Sequence, residues 1–310
     1  MQIKFGGNVV KSFEEQYIKM LKTIITNAVD VPNHRTGVST IALFDYKLTV
    51  NEGEFPFSTI RPAHPRLAFE ELWLFLRGDT NTKLLEEKGI GFWKGNTSRE
   101  FLDSRGLHHL PEGDLGAAYS KQFRNFGDSY DGGDYTAGVD QVEKLYLALA
   151  KDRYSRRLVT SLWNPPEEDN MVLTACWWCH QFVVLPSPEG DTLHLKLINR
   201  SLDALFGCIF AVQQYRLYQI ALAKLFGMRV GKLSCDLTHI HLYENQIEYT
   251  TELLRRPYNF DGCYDINRIK INKDLVLMDD LLELTWEDFQ VSVPTVNVSK
   301  FETARPEMVA

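Results

Sequence analysis

No apolar run in these 310 residues approaches membrane-spanning length, and the N-terminus lacks the basic-then-apolar order of a secretory leader. No membrane partner is expected, and a reducing cytoplasm is the expected compartment. Cysteine is sparse. Five residues, an odd number at irregular spacing in a long chain, do not make a disulfide framework. Positive charge is short as well. With 34 Lys and Arg against 41 Asp and Glu, the net charge of −7 argues against DNA binding through bulk charge. An anionic ligand must then be held by local arginine clusters. Internal repeats, low-complexity tracts and a Pro/Gly/Ser linker are also missing, so one domain over residues 1–310 is expected. No metal site is expected.

What is present centres on Trp163 to Ser201. Three apolar, β-branched or aromatic segments (158–166, 174–184 and 193–201) are separated by Pro, Glu, Asp and Gly turns and predict adjacent strands. Arg156 and Arg157 open this block and Arg200 closes it. Positive charge lowers a thiol pKa, which makes Cys179 a candidate nucleophile. The competing reading is a buried core cysteine. Cys176, Cys179 and His180 also match the haem-attachment and redox spacings. Haem attachment needs an exported chain, and a redox pair belongs at a strand-to-helix turn, which this is not. A hydrolase dyad of Cys179 and His180 is excluded too, since neighbours on a strand face opposite ways.

Around this block, Ser12 and Glu15 form a capping box for a helix with Tyr17, Ile18, Leu21, Ile24, Ile25 and Ala28 on one face. A strand follows at 39–44. The segment from Leu67 to Arg77 predicts a helix that is apolar nearly all round and stops at Gly78. It carries Glu70 and Glu71. One can face solvent; the other is a candidate acid/base whose pKa burial would raise, or a buried partner of an arginine. A long helix is expected over 210–226, with Ala211, Tyr215, Tyr218, Leu222 and Leu225 on its packing side. Residues 233–237 and 240–243 predict two short strand or turn pieces. Residues 301–310 predict either a loose end or a flap over a site. Helices and strands interleave without a βαβ period, which favours an α+β fold over a doubly wound one.

Taken in order, these segments resemble the thymidylate synthase family over nearly the whole chain. The resemblance rests on Arg35-Thr36-Gly37, Glu71 with Phe75 to Asn81, Trp93 with Ser98 to Asp103, and Glu112 to Gly116 with Tyr119. It continues with Ser155 to Arg157, Trp163-Asn164-Pro165, Cys179-His180, Arg200-Ser201 with Asp203 and Gly207, His241 with Tyr243, and Glu307 to Ala310. The family implies a single-domain, three-layer α+β fold with a mixed, bent β-sheet flanked by helices. It also implies an obligate homodimer that binds a small-molecule nucleotide and a folate. The expected activity is one-carbon transfer to C5 of a deoxypyrimidine monophosphate, with 5,10-methylenetetrahydrofolate as co-substrate. By the resemblance Cys179 adds to C6 of the ring, and Arg35, Arg156, Arg157, Arg200 and Ser201 hold the 5′-phosphate. Asp203 addresses the base through its backbone, His241 and Tyr243 the sugar hydroxyl. Glu71 orders water and moves protons, and Tyr119 assists loss of the C5 proton. Trp93, Asn96 and the terminal Ala310 pack on the folate.

Five positions depart from the family pattern. Ala211 replaces the asparagine that reads the base. Trp177 and Trp178 stand where two prolines precede the nucleophile, Phe123 replaces a tryptophan, and His239 an aspartate. These changes gather at base recognition. Methylation or hydroxymethylation of dUMP or dCMP are therefore the enzymatic readings, with Gln213 or Gln214 as replacement readers. The alternative is a catalytically silent relative that binds nucleotide or RNA.

Overall fold

The computed structural model describes residues 11–128, 138–256, 264–293 and 305–309, with backbone alone at 4–5 and 8–9. A hairpin of β1 (Lys4–Phe5) and β2 (Asn8–Val9) precedes α1 (Phe13–Asn27). The capping box forms as expected. Ser12 Oγ accepts the Glu15 N–H at 3.2 Å, Glu15 accepts the Ser12 N–H at 2.7 Å, and Tyr17, Ile18, Leu21 and Ile24 are buried. There follow β3 (Val29–Val31), β4 (Thr40–Val50), α2 (Pro65–Arg77), α3 (Lys83–Glu86), α4 (Arg99–Ser104), α5 (Tyr119–Arg124) and α6 (Gln141–Lys151). The second half holds β5 (Val159–Ser161), β6 (Trp177–Leu185), β7 (Thr192–Asn199), β8 (Leu202–Asp203), α7 (Cys208–Leu225), β9 (Arg229–Tyr243), α8 (Ile247–Leu253), β10 (Ile269–Ile271), α9 (Met278–Leu282) and β11 (Phe289–Val291).

Among the described residues the main sheet runs β3-β4-β9-β7-β6-β5, with β8 beside β9. Strand β9 is parallel to β7 and β8 but antiparallel to β4, so the sheet is mixed and the fold α+β, flanked by helices. Residues 233–237 and 240–243 are not two short pieces. They belong to one 15-residue strand, because pairing with β4 on one side and with β7 and β8 on the other carries the ladder through polar Thr238 and His239. Among the described residues no helix is long and apolar enough to cross a membrane.

The sheet has two unlike faces. His180, Phe182 and Val184 of β6 lie opposite Leu197, Leu195 and Leu193 of β7 and pack toward α7, where His180 meets Tyr215 and Phe182 meets Tyr218. On the other face Cys179, Gln181 and Val183 lie opposite Ile198, Lys196 and His194, and among the described residues no helix covers Val183 or Val159, both exposed.

Helix α7 lies between the sheet and α2, so it is buried almost all round instead of along one side. That burial forces its polar residues to find partners inside. Arg216, fully buried, donates to the carbonyls of Glu54 (3.0 Å), Asn51 (2.9 Å) and Gly231 (2.6 Å) and to Gln219 Oε1 (2.7 Å). This clamp fixes α7 against the start of β9 and the turn before α2, and with it the residues that α7 presents to the site.

Candidate active site

Four segments converge where β6 and β7 meet the N-terminal end of α7. The turn before β6 carries Thr174, Ala175 and Cys176. The Arg200 guanidinium, just past β7, locks this turn: Nε donates to the Ala175 carbonyl (3.1 Å) and one Nη to the Thr174 carbonyl and hydroxyl (2.8 and 2.7 Å). The Arg200 backbone N–H holds the Cys176 carbonyl at 2.9 Å. The guanidinium also lies 5.7 Å from the ring centre of Trp163.

Tyr119, at the start of α5, accepts the Cys176 backbone N–H on its Oη at 2.8 Å and stacks on Phe75, centres 4.9 Å apart. Burial pushes this phenol well above its ordinary pKa, with the charges of Cys176, Arg200 and Glu71 all acting on it. Tyr119 is therefore a neutral hydrogen-bonding group at physiological pH.

Both glutamates of α2 are buried, so the expectation that one faces solvent is corrected. Glu70 pairs with Lys88 at 2.5 Å. Glu71 is buried and receives Trp93 Nε1 on one oxygen and Gln214 Nε2 on the other, each at 2.5 Å. Burial raises its pKa from 4.5 to about 7, although both hydrogen bonds favour the charged form. Trp93 thus grips Glu71 and meets Phe75 and Tyr119 edge-on. Asn96 lies nearby in sequence, buried, with its Nδ2 lacking a partner among the described residues.

At the β8–β9 end, the Asp203 carboxylate accepts the N–H groups of Leu205 (2.8 Å) and Phe206 (2.9 Å) and the Gln246 amide (2.8 Å). Burial raises its pKa against these bonds. Its side chain caps the turn into α7, and its carbonyl accepts the Gly207 N–H at 3.0 Å. His241 is held neutral, its pKa pushed to about 4 by burial and then by His239 and Arg35. Its buried Nδ1 has no partner among the described residues. Tyr243 stands edge-on to His241 at 5.1 Å and shares a hydrogen bond with Arg35, which the turn before β4 brings across. Ser201 follows Arg200 at the end of β7, half-buried. Arg156 and Arg157 are exposed ahead of β5. The terminal Ala310 lies outside the described residues.

The two cysteines separate. Cys179 sits within β6 on the face away from α7, opposite Ser161 and Ile198. Burial alone raises its thiol above the ordinary value, with no guanidinium to offset it. Its neighbour His180 is a core residue, stacked on Phe123 and tilted against Tyr215, with a pKa pushed down to about 3 by burial. Cys176, by contrast, shares a turn with Arg200 and a hydrogen bond with Tyr119. The expectation that Cys179 lies beside Arg200 is corrected accordingly. The physical reason is strand alternation together with a bulge between Trp177 and Cys179. A sequence signal existed: with Cys176 as reference the two residues before it are Thr174 and Ala175, so no bulky tryptophans need occupy the proline positions.

Other functional candidates escaped the sequence reading. Arg61 and Arg305 lie on the Phe206 ring, each 5.2 Å from its centre, and one Arg61 Nη is buried without a partner among the described residues. The backbone of Glu307 accepts the Asn245 amide at 3.2 Å, which seats the C-terminal residues 305–309 beside the site.

Residues 15–295 match the family model described as thymidylate synthase. The chain is 35% identical over 290 residues to a thymidylate synthase of Saccharomyces cerevisiae, covering 89% of this chain and 93% of that protein. It is 34% identical over 269 residues to a thymidylate synthase of Agaricus bisporus, covering 82% and 90%. A bifunctional dihydrofolate reductase-thymidylate synthase of Paramecium tetraurelia is 36% identical over 283 residues, and this chain spans 58% of its length and matches over 90% of its own. Matches of this length and order, on a site built as described, place the chain in the thymidylate synthase family.

Proposed function

We propose that this chain methylates C5 of dUMP through a covalent adduct to Cys176. The observation that carries this reading is the convergence of Tyr119 and Arg200 on the Cys176 turn, with Glu71, its pKa raised to about 7, acting on the same tyrosine. C5 of a pyrimidine is not nucleophilic until a thiolate adds to C6. Arg200 holds the Cys176 turn in place through the Thr174 and Ala175 carbonyls, which fixes the sulfur against the ring. Glu71, protonated in part at neutral pH, supplies a proton toward O4 as electron density moves there. Neutral Tyr119 hydrogen-bonds at the C5 side when the C5 proton leaves. Arg35, Arg156, Arg157, Arg200 and Ser201 suit the 5′-phosphate, since guanidinium forks match its oxygens. His241 and Tyr243 suit the sugar hydroxyl, and the Asp203 backbone the base.

The co-substrate of the family is 5,10-methylenetetrahydrofolate, which supplies the one-carbon unit and the hydride. The residues fit it. Asn96 Nδ2 and an Arg61 Nη are buried donors awaiting acceptors, and Phe206 between two guanidiniums offers a flat surface beside cationic groups for a carboxylate tail. Trp93 and the C-terminal residues would close over it and exclude water.

The reading includes a homodimer. The face of β5 and β6 carrying Val159 and Val183 has no helix over it among the described residues, and Arg156 and Arg157 sit exposed at its edge, placed to serve a second copy's site. An inactive Cys176→Ser protein mixed with an inactive Arg156→Ala/Arg157→Ala protein then regains about a quarter of the wild-type activity, from hybrid dimers with one complete site. No recovery on mixing would refute arginines shared across a twofold.

The direct test is product mass from dUMP and from dCMP with methylenetetrahydrofolate. The expected product is methylated dUMP. A hydroxymethyl product, or turnover of dCMP alone, replaces this reading with the variants that Ala211 admits. No tritium release from either 5-labelled substrate supports the catalytically silent alternative.

A further inference from the structure

Ala211 cannot hydrogen-bond a base, yet the same helix carries two amides close by. Gln213 and Gln214 are separated by about 100° around α7, and the structure sends them to different places. Gln213 turns away, its Nε2 donating to the carbonyls of Pro56 (3.1 Å) and Ala63 (3.3 Å). Gln214 lies three positions after Ala211, so the two share a helix face. It is buried and donates to Glu71 Oε2 at 2.5 Å, while Trp93 occupies the other oxygen. Glu71 in turn acts on the phenols of Tyr119 and Tyr215, which also sense Cys176. Gln214 is thus the amide of this pair that reaches the reacting region.

Its orientation follows from chemistry. A carboxylate only accepts, so the NH2 end of Gln214 faces Glu71 and the Oε1 end faces away. Resting on the reading of this site as a pyrimidine nucleotide site, we propose that Gln214 reads the C4 edge of the base in place of the missing amide at Ala211 and selects a 4-oxo over a 4-amino pyrimidine. The end beside Glu71, the proton donor to the C4 substituent, is a donor end. Its second hydrogen satisfies an oxo group, and the neighbouring Oε1 accepts the ring N3–H. A 4-amino ring reverses both polarities and sets donor against donor and acceptor against acceptor. Buried polar groups left unpaired in this way are what a site rejects most strongly.

The experiment compares kcat/KM for dUMP and dCMP, by release of the C5 tritium, in wild type, Gln214→Met and Gln214→Met/Ala211→Asn. The ratio of the two substrates in one preparation cancels the amount of folded enzyme. Wild type is expected to favour dUMP by about a hundredfold or more, Gln214→Met to lower the ratio by about ten- to a hundredfold, and the added asparagine to restore it. A wild type that favours dCMP, or a Gln214→Met ratio within about threefold of wild type, overturns the inference. Release from neither substrate in wild type defeats the functional reading instead. The inference is then judged by calorimetric Kd values of Cys176→Ser protein for the two nucleotides: a dUMP preference lost in Gln214→Met supports it, and equal affinities overturn it.

Discussion

Cys176→Ser lowers turnover by a factor on the order of ten thousand or more, whereas Cys179→Ser leaves kcat within a few-fold of wild type. A serine hydroxyl at position 176 keeps the shape of the turn, and the Arg200 contacts to Thr174 and Ala175 do not involve the sulfur. Binding of the nucleotide phosphate is therefore retained while addition to C6 is lost. Cys179 faces the side of the sheet away from α7, and burial raises its thiol pKa. Its substitution reports on the sheet surface and not on chemistry. Mass spectrometry of a trapped nucleotide adduct checks the same point, with the added mass on the peptide carrying Cys176. Full activity in Cys176→Ser, or an adduct on Cys179, would return the nucleophile to position 179.

Glu71→Gln reduces kcat/KM by about a hundred- to ten-thousandfold and removes a limb of the pH profile near pH 7. The sign follows from the step that needs the group. Addition at C6 drives charge onto O4, so the protonated carboxyl is the active form, and wild-type activity falls as pH rises through about 7. An ordinary carboxyl would titrate far below this range. Stability falls over the same approach to neutrality. The folded pKa of Glu71 lies above its unfolded value of 4.5, so the fold loses stability as pH climbs from about 4.5 to about 7. The loss is on the order of 3 kcal/mol once the group is ionised. Glu71→Gln is neutral at every pH, so its Tm exceeds that of wild type by a few degrees at pH 8 and matches it at pH 4. Equal Tm values at pH 8 would show that Glu71 carries no such burden.

The capping box at Ser12 and Glu15, the helix stop at Gly78 and the alternation of β7 were legible because each depends on neighbours within a few residues. The partition of Glu70 from Glu71 was not legible: one was expected to face solvent, and both are buried. How each of two adjacent side chains on a helix is buried depends on what covers α2, here Trp93 and Gln214 on one side and Lys88 on the other. The burial of Arg216 was invisible, since its acceptors come from Asn51, Glu54 and Gly231, which the sequence does not mark as its neighbours. The single long β9 was hidden for a similar reason: its polar middle is stabilised by pairing with β4.

Residue order alone determined the family and the α+β class, because spaced identities and element patterns survive without coordinates. Only the tertiary structure decided which cysteine meets Arg200 and which glutamine meets Glu71. A step of one residue turns a side chain by about 180° on a strand and about 100° on a helix. A bulge between Trp177 and Cys179 shifts that count, and the resulting direction is set by packing between elements distant in the chain.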